Sequence, residues 1–225
     1  MSTKNFGWIV GLAAGVAVVW IFSAQGLAGQ DMTRAKVEQP SGTEVATFAG
    51  GCFWCIEADL EKVDGVVAAI SGFSGGSEKD PTYKEVAYGR TTHLETVQIF
   101  YDPKRLSYEK LVDSFFRLID PTDASGSFVD RGPHYRSAIF YHSPEQKRVA
   151  EQAIATINKL KIFDKKVATE IRPFKEFYPA ENYHQDFYKK SEGRYRSYRS
   201  ASGRDRFIQK TWRDVPPLVE ASAGS

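Results

Sequence analysis

From residue 44 onward, apolar and polar positions fall into short blocks whose period changes repeatedly, so the chain predicts strands and helices in irregular alternation. Glu44 to Ala49 reads as a short strand that runs into Gly50-Gly51. Between Cys52 and Val63 the apolar positions Phe53, Ile56, Leu60 and Val63 fall mostly on one side of a helix. Val66 to Phe73 is a buried strand ending at Ser74-Gly75-Gly76-Ser77, and Leu94 to Tyr101 is a second that stops at Asp102-Pro103. Tyr108 to Leu118 carries an apolar stripe of Leu111, Val112, Phe115, Phe116 and Leu118, as an amphipathic helix does. Asp120 to His134 is a long loop, of a length that is often functional inside a domain. Ser137 to His142 is another strand. Ser143, Pro144 and Gln146 then give an N-cap, a first-turn proline and a capping-box partner for a new helix. Val167 to Ile171 is a further strand, and Ala180 to Lys190 a short helix stopped by Gly193. Connections this short do not suit uniform βαβ crossovers. The pattern predicts an α+β fold, a sheet with helices packed on it, and shows no internal repeat.

The first thirty residues break the pattern. No charged residue lies between Lys4 and Asp31, and Phe6 to Phe22 is almost entirely apolar or glycine, followed by Ser23, Ala24, Gly26, Ala28 and Gly29. A basic start, an apolar run and small residues have the layout of a secretory signal. The run is also near the lower length limit of a spanning helix, so 1–29 is either a cleaved signal peptide or a retained anchor. Both readings place the rest outside the cytoplasm. Residues 30–43 are polar, contain Pro40 and Gly42, and read as a linker. The domain itself is expected over 44–200, with 201–225 as a C-terminal extension.

Composition narrows the chemistry. The 225 residues are 42% hydrophobic and 26% charged, with a formal net charge of +2, which fits a globular domain and argues against disorder. So small a charge does not itself imply a nucleic-acid partner. Two cysteines exclude a disulfide-dense scaffold and an all-cysteine metal cage, and 4 histidines argue against a His-rich metal centre. No glycine-rich phosphate loop or metal-ligand spacing is present, so no cofactor and no metal is expected.

The informative stretch is Gly50-Gly51-Cys52-Phe53-Trp54-Cys55. Two glycines let the backbone turn out of the strand and leave the Cys52 thiol unobstructed. A helix starting near Cys52 favours a thiolate there, through its unpaired N–H groups and positive dipole end. Cys55 lies close enough on one helical face to exchange with Cys52 after modest adjustment. Taken alone, the pair also suits a small structural disulfide or a thioredoxin-like oxidoreductase. The adjoining Phe53-Trp54 is unusual for the latter, since it sets a large apolar surface beside the thiols.

Gly50-Gly51-Cys52-Phe53-Trp54 resembles the active-site signature of type-A peptide methionine sulfoxide reductases. The resemblance continues through Gly72-Phe73-Ser74-Gly75-Gly76, Pro81-Thr82-Tyr83, His93-Leu94-Glu95, Tyr101-Asp102-Pro103, Asp130-Arg131-Gly132, Tyr135-Arg136-Ser137 and Tyr183-His184-Gln185, covering roughly Val45 to Tyr188. It implies a two-layer α/β arrangement with a mixed sheet and a ferredoxin-like plait core. It implies Cys52 as nucleophile, Glu95 as acid, and Tyr83 and Tyr135 as hydrogen-bond donors to the substrate oxygen. Asp130 matches a further acidic position, while Phe53 and Trp54 match the walls that hold the substrate methyl group. The implied reaction reduces methionine S-sulfoxide, free or in proteins. A monomer recycled by a thioredoxin-like reductant is expected, with no nucleic acid involved.

The residue types suit that chemistry. A sulfoxide is a poor electrophile until its oxygen is protonated or strongly hydrogen-bonded. Glu95, set between Leu94 and Val97 in an apolar strand, is placed where desolvation favours its neutral form. Attack at sulfur would leave a sulfenic acid on Cys52, and Cys55 can condense with it to a disulfide. Many relatives carry the resolving cysteine in a glycine-rich tail, but here no cysteine follows Cys55. Recycling therefore rests on Cys55 or on an external thiol. The stretch from Lys189 to Arg213 is instead basic and reads as solvated surface, with a membrane or nucleic-acid contact as the sharper alternative. Two other classes stay open on sequence: a CxxC thiol–disulfide oxidoreductase, and an exported binding domain with a small disulfide. The expected location is the periplasm of a bacterium, soluble or anchored in the inner membrane.

Overall fold

A computed structural model describes residues 31–220. The stretch 1–29, where a signal or anchor is expected, lies outside them; among the described residues no helix is long and apolar enough to cross a membrane. The sheet is built from β1 (Glu44–Ala49), β2 (Val66–Ser74), β3 (Leu94–Tyr101), β6 (Ala138–Tyr141), β7 (Glu170–Pro173) and β8 (Phe177–Pro179), in the spatial order β7-β6-β1-β3-β2-β8. Every pairing is antiparallel except β6 with β7. The inner order β6-β1-β3-β2, with helix α1 (Phe53–Leu60) between β1 and β2 and α3 (Tyr108–Phe116) between β3 and β6, is the interleaved pair of β-α-β units expected of a ferredoxin-like plait. The mixed α+β fold is as expected.

Period-two alternation decides which side chains meet the helices. All of β3 is buried, because it lies at the middle of the sheet and is covered on both faces. Val97, Ile99 and Tyr101 join Phe48 of β1, Phe73 of β2 and Ile139 of β6 in one core. Phe53, Ile56 and Leu60 of α1, Leu111, Val112, Phe115 and Phe116 of α3, and Val149, Ala150, Ala153 and Ile157 of α4 (Pro144–Leu160) complete it. Glu95 has the parity of Val97 and so points toward the helices. On the opposite parity, Leu94 packs with Ala49, Ala138 and Phe140 in a smaller cluster.

Several expectations need correction. The strand expected over Val167–Ile171 forms at Glu170–Pro173, where it gains a parallel partner in β6. The Asp120–His134 loop contains a small hairpin, β4 (Gly126–Ser127) with β5 (Asp130–Arg131), and a 3₁₀ turn at Pro133–Tyr135. Gln146 does not close a capping box on Ser143. Its Oε1 accepts from the His142 N–H at 2.9 Å and its Nε2 donates to the Val45 carbonyl at 2.8 Å, so it ties α4 to two strands instead. A true capping box opens α2 (Tyr83–Ala87), unread in the sequence, where Thr82 and Glu85 satisfy each other's backbone N–H groups.

Gly193 stops nothing. Of the helix expected over Ala180–Lys190 only α5 (Phe187–Lys190) forms, and α6 (Glu192–Ala201) runs straight through Gly193. The glycine occupies the first turn, where its N–H needs no intrahelical partner. A last helix, α7 (Arg204–Trp212), follows. Trp212, Leu218 and Val219 are buried in the main core, so the stretch from 201 onward contributes to it directly. The start of 30–43 is also held: Arg34 bridges to Glu181 and donates to the carbonyls of Asp80 and Pro81.

Candidate active site

The thiols sit where β1 turns into α1. Gly51 has φ +92°, and a Cβ there would stand 2.4 Å from Ser127 Cβ, so only glycine makes this turn without displacing the hairpin. Cys52 is the N-cap of α1, non-helical at φ −54° and ψ 118°, and its carbonyl accepts from the Cys55 N–H at 3.1 Å. Both cysteines are free and buried, and their side chains are hydrogen-bonded to each other.

The first N–H of the helix, that of Phe53, donates to Glu95 Oε2 at 3.0 Å. Glu95 is only 2% exposed. Burial pushes its carboxyl up to about 8 against the Phe53 hydrogen bond, with nearby Asp130 adding to the rise. Glu95 is therefore held mainly protonated at neutral pH, as an acid must be. The expected lowering of Cys52 by the helix N-terminus is not found. Burial holds that thiol well above the ordinary range, and its hydrogen bond to Cys55 and the Glu95 and Asp130 carboxyls push the same way. Cys55 is instead lowered to about 7 by the hydrogen bond from Cys52, with Arg204 and Arg199 assisting.

A cavity of about 200 Å³ opens above Cys52, lined by Cys52, Phe53, Trp54, Tyr83, Glu95, Asp130, Tyr135 and Tyr198. Seven of the eight residues singled out in the sequence thus converge, although they come from α1, α2, β3, β5 and the 3₁₀ turn. The eighth, Cys55, lies one helical turn behind Cys52, in a cluster with Ala58, Phe187 and Tyr195. Tyr83 and Tyr135 are hydrogen-bonded to each other, and burial raises both phenols, so each keeps its proton. Asp130 is half-buried and accepts from the Tyr198 hydroxyl, while burial raises its carboxyl.

The aromatic wall is fixed from behind. Trp54 stacks on Phe187 with centroids 3.7 Å apart and planes 8° from parallel, and its Nε1 donates to His184 Nδ1 at 3.0 Å. Burial lowers His184 to about 3, so the ring is neutral and able to accept there. His184 orients the wall through this bond. Tyr198 was missed. The sequence carries only the i, i+3 pair Tyr195 and Tyr198 in an otherwise polar stretch, too little to mark either as part of a site. Among the described residues no group of three or more His, Cys, Asp or Glu side chains could hold a metal ion.

The peptide methionine sulfoxide reductase family model matches residues 44–216. The chain belongs to the peptide methionine sulfoxide reductase family. It is 51% identical over 170 residues to a peptide methionine sulfoxide reductase MsrA of Listeria monocytogenes, spanning 96% of that protein and 76% of this chain. It is 49% identical over 208 residues to peptide methionine sulfoxide reductase MsrA/MsrB of Vibrio cholerae, covering 92% of this chain and 54% of that protein, about half its length. Among solved structures it is similar to reduced Mxr1 from Saccharomyces cerevisiae, with a TM-score of 0.64 and 33% identity over 72% of this chain and 93% of that one. It is similar also to methionine sulfoxide reductase A of Corynebacterium diphtheriae, with a TM-score of 0.62 and 28% identity over 72% and 89% of the two chains. The family's match extends past residue 200 and takes in α7.

Proposed function

We propose that the protein is an oxidoreductase that reduces the S epimer of methionine sulfoxide, free or in proteins, to methionine. The observation that carries this reading is the convergence on one small cavity of a buried thiol, a protonated carboxyl and two phenols. The methyl and methylene groups of the substrate lie against Phe53 and Trp54, which exclude water. Tyr83 and Tyr135 donate to the sulfoxide oxygen, and Glu95 delivers a proton to it. Cys52 attacks the sulfur and passes its own proton to the hydrogen-bonded Cys55 sulfur. The S–O bond breaks, methionine leaves, and the oxygen remains on Cys52 as a sulfenic acid, two electrons having passed from Cys52 to the substrate. Cys55 then attacks the Cys52 sulfur; an S–S bond forms and the oxygen leaves as water. A thioredoxin-like dithiol reduces the disulfide and closes the cycle.

A thiol–disulfide oxidoreductase acting on protein disulfides gains no support from this geometry. Cys52 lies at the base of a cavity of about 200 Å³ lined by a protonated carboxyl, phenols and an aromatic wall, groups that act on a sulfoxide and have no task in disulfide exchange, and Cys55 is buried behind it. Anaerobic incubation with each sulfoxide epimer and with a protein disulfide separates the readings: turnover of the S epimer alone is expected. Exchange with the protein disulfide and no methionine would overturn the proposal. The uncharged run between Lys4 and Asp31 further supports export to the periplasm, with the N-terminal segment cleaved or retained as an anchor. N-terminal sequencing of material from membrane and soluble fractions tests that part.

A further inference from the structure

The mechanism above leaves one strongly charged group unused. Arg204, at the start of α7, is 0% exposed. Its Nη1 donates to the Leu118 carbonyl at 2.7 Å, its guanidinium lies 4.5 Å from the centre of the Phe128 ring, and Nη2 reaches toward Ser127 Oγ at 3.5 Å. Among the described residues no carboxylate pairs with it within ion-pair distance, and its buried Nε has no hydrogen-bond partner. An unpaired buried cation is strongly destabilising unless a negative charge stands near it. Its position shows where that charge belongs. Nη2 would stand 3.2 Å from a Cβ on Gly51, the residue immediately before Cys52, so the guanidinium backs directly onto the thiol turn.

A second cation approaches from α6. Arg199 is 12% exposed, is held by Asp59 at 2.7 Å and by Asp205 at 2.7 Å, and contacts the Cys55 sulfur. Its charge is paired with two carboxylates, whereas Arg204 has no ion pair among the described residues and feels the Asp130 carboxyl only from beyond pairing distance. Building on the reductase reading, we propose that Arg204 is a positioning residue: it holds Cys55 as the thiolate that closes the disulfide on Cys52 sulfenic acid. The step balances as Cys52–SOH plus Cys55–S⁻ and a proton, giving the disulfide and water. The S–S bond forms as the S–O bond breaks; Glu95, ionised in the first step, takes up the proton that Cys55 gives up in becoming the thiolate and passes it to the departing oxygen. The other groups that face Cys55 are Cys52 and Asp59 of the α1 segment, Glu95 of β3, and Tyr195 and Tyr198 of α6. The carboxyls and burial oppose a thiolate; the hydrogen bond from Cys52 favours it most, and Arg204 and Arg199 add to it. The direction agrees with the Cys55 thiol standing at about 7, below an ordinary thiol.

The test is a single turnover of the full-length protein with methionine S-sulfoxide and no reductant, quenched by alkylation and read by peptide mass as methionine formed and Cys52–Cys55 disulfide formed. With Arg204→Met, closure should slow roughly five- to tenfold at about pH 6, because fewer thiolates outweigh their greater intrinsic nucleophilicity. Above about pH 9 the variant should match or overtake the parent, and Arg204→Lys should restore most of the loss at low pH. A closure rate lowered equally at every pH, or not lowered at all, overturns the proposal and leaves Arg204 structural. A parent protein that makes methionine without the disulfide overturns the resolving role of Cys55 and this proposal with it, whereas one that makes no methionine overturns the reductase reading itself. Should Arg204→Met fail to fold, the Cys55 thiolate is titrated by its ultraviolet absorbance in Cys52→Ser and in Cys52→Ser with Arg204→Gln. Titration clearly below about 8.5 in the first, rising in the second where the charge is gone, supports the proposal. Titration at or above about 8.5 in the first, or unchanged in the second, refutes it.

Discussion

At the scale of single residues, Glu95 shows how one carboxyl is bent to its task at a cost to the fold. Its parity along β3 turns it inward and its Phe53 partner fixes one oxygen, but burial dominates and sets its titration near 8. The proton it donates is therefore present below about pH 8, and turnover should decline above that. Glu95→Gln keeps the shape and can still accept from Phe53, so substrate binding should persist while the chemical step falls on the order of 10²–10⁴-fold. Single-turnover methionine release checks this; an unchanged rate in the folded variant removes Glu95 from the mechanism. Stability should move the other way. The folded carboxyl titrates near 8 against an ordinary value of 4.5, so it stabilises the fold fully below 4.5 and loses that contribution as pH rises to 8. Glu57, 1% exposed and raised by burial to about 7, acts in the same sense over a narrower window. Relative to the parent, Glu95→Gln should gain stability on the order of a few kcal/mol between those pH values. Urea midpoints measured across that range would show a flat difference if the carboxyl were already ionised.

At the scale of elements, the site depends on the turn between β1 and α1. Here the sequence was most readable: Gly50-Gly51 announced a sharp exit, and the 3.6-residue spacing of Phe53, Ile56 and Leu60 announced the helix and its buried face. Glu95 was readable as a charge inside an apolar strand. Tyr83 and Asp130 were legible only as members of a familiar set, because α2 is five residues long and β5 two, too short for any period to show. Tyr198 and Arg204 were not legible. Their helices are polar on most positions, and what buries them is the tertiary approach of α6 and α7 to α1. Gly51 links the readable and unreadable parts, since its missing side chain lets the β4–β5 hairpin and Arg204 come close. Gly51→Ala adds a positive-φ penalty to a 2.4 Å collision with Ser127. It should destabilise the fold by roughly 2–5 kcal/mol and displace Cys52 from Glu95. Urea unfolding measures the first effect and methionine release in the surviving folded fraction the second; a normal value of either would show that the turn has slack.

At the scale of the whole molecule, the last stretch of chain is a working wall of the domain. Arg117, at the end of α3, donates to the carbonyls of Trp212 at 3.1 Å, Val215 at 3.1 Å and Pro216 at 3.0 Å. It also pairs with Asp113, whose Oδ1 accepts from the Leu218 N–H at 2.9 Å. This clamp seats Trp212, Leu218 and Val219 in the same core that packs α1 against the sheet. The sequence showed only a run of basic residues, and seven of the nine from Lys189 to Arg213 are indeed exposed. Charge composition reports the solvated majority and is blind to the two arginines, 199 and 204, that turn inward. Arg117→Ala removes the donors of three carbonyls and should lower stability by about 1–3 kcal/mol. The loss should be uneven: amide exchange should accelerate first at Leu218 and along α7, while the central β3 amides keep the protection of global unfolding. Since α7 carries Arg204 to the back of Gly51, disulfide closure at about pH 6 should slow in the same variant, with less effect on the first methionine released. Uniformly faster exchange through β3 and α7 together would mean that the terminal segment and the sheet unfold as one unit, and that the clamp gives the site no separate hold on its cation.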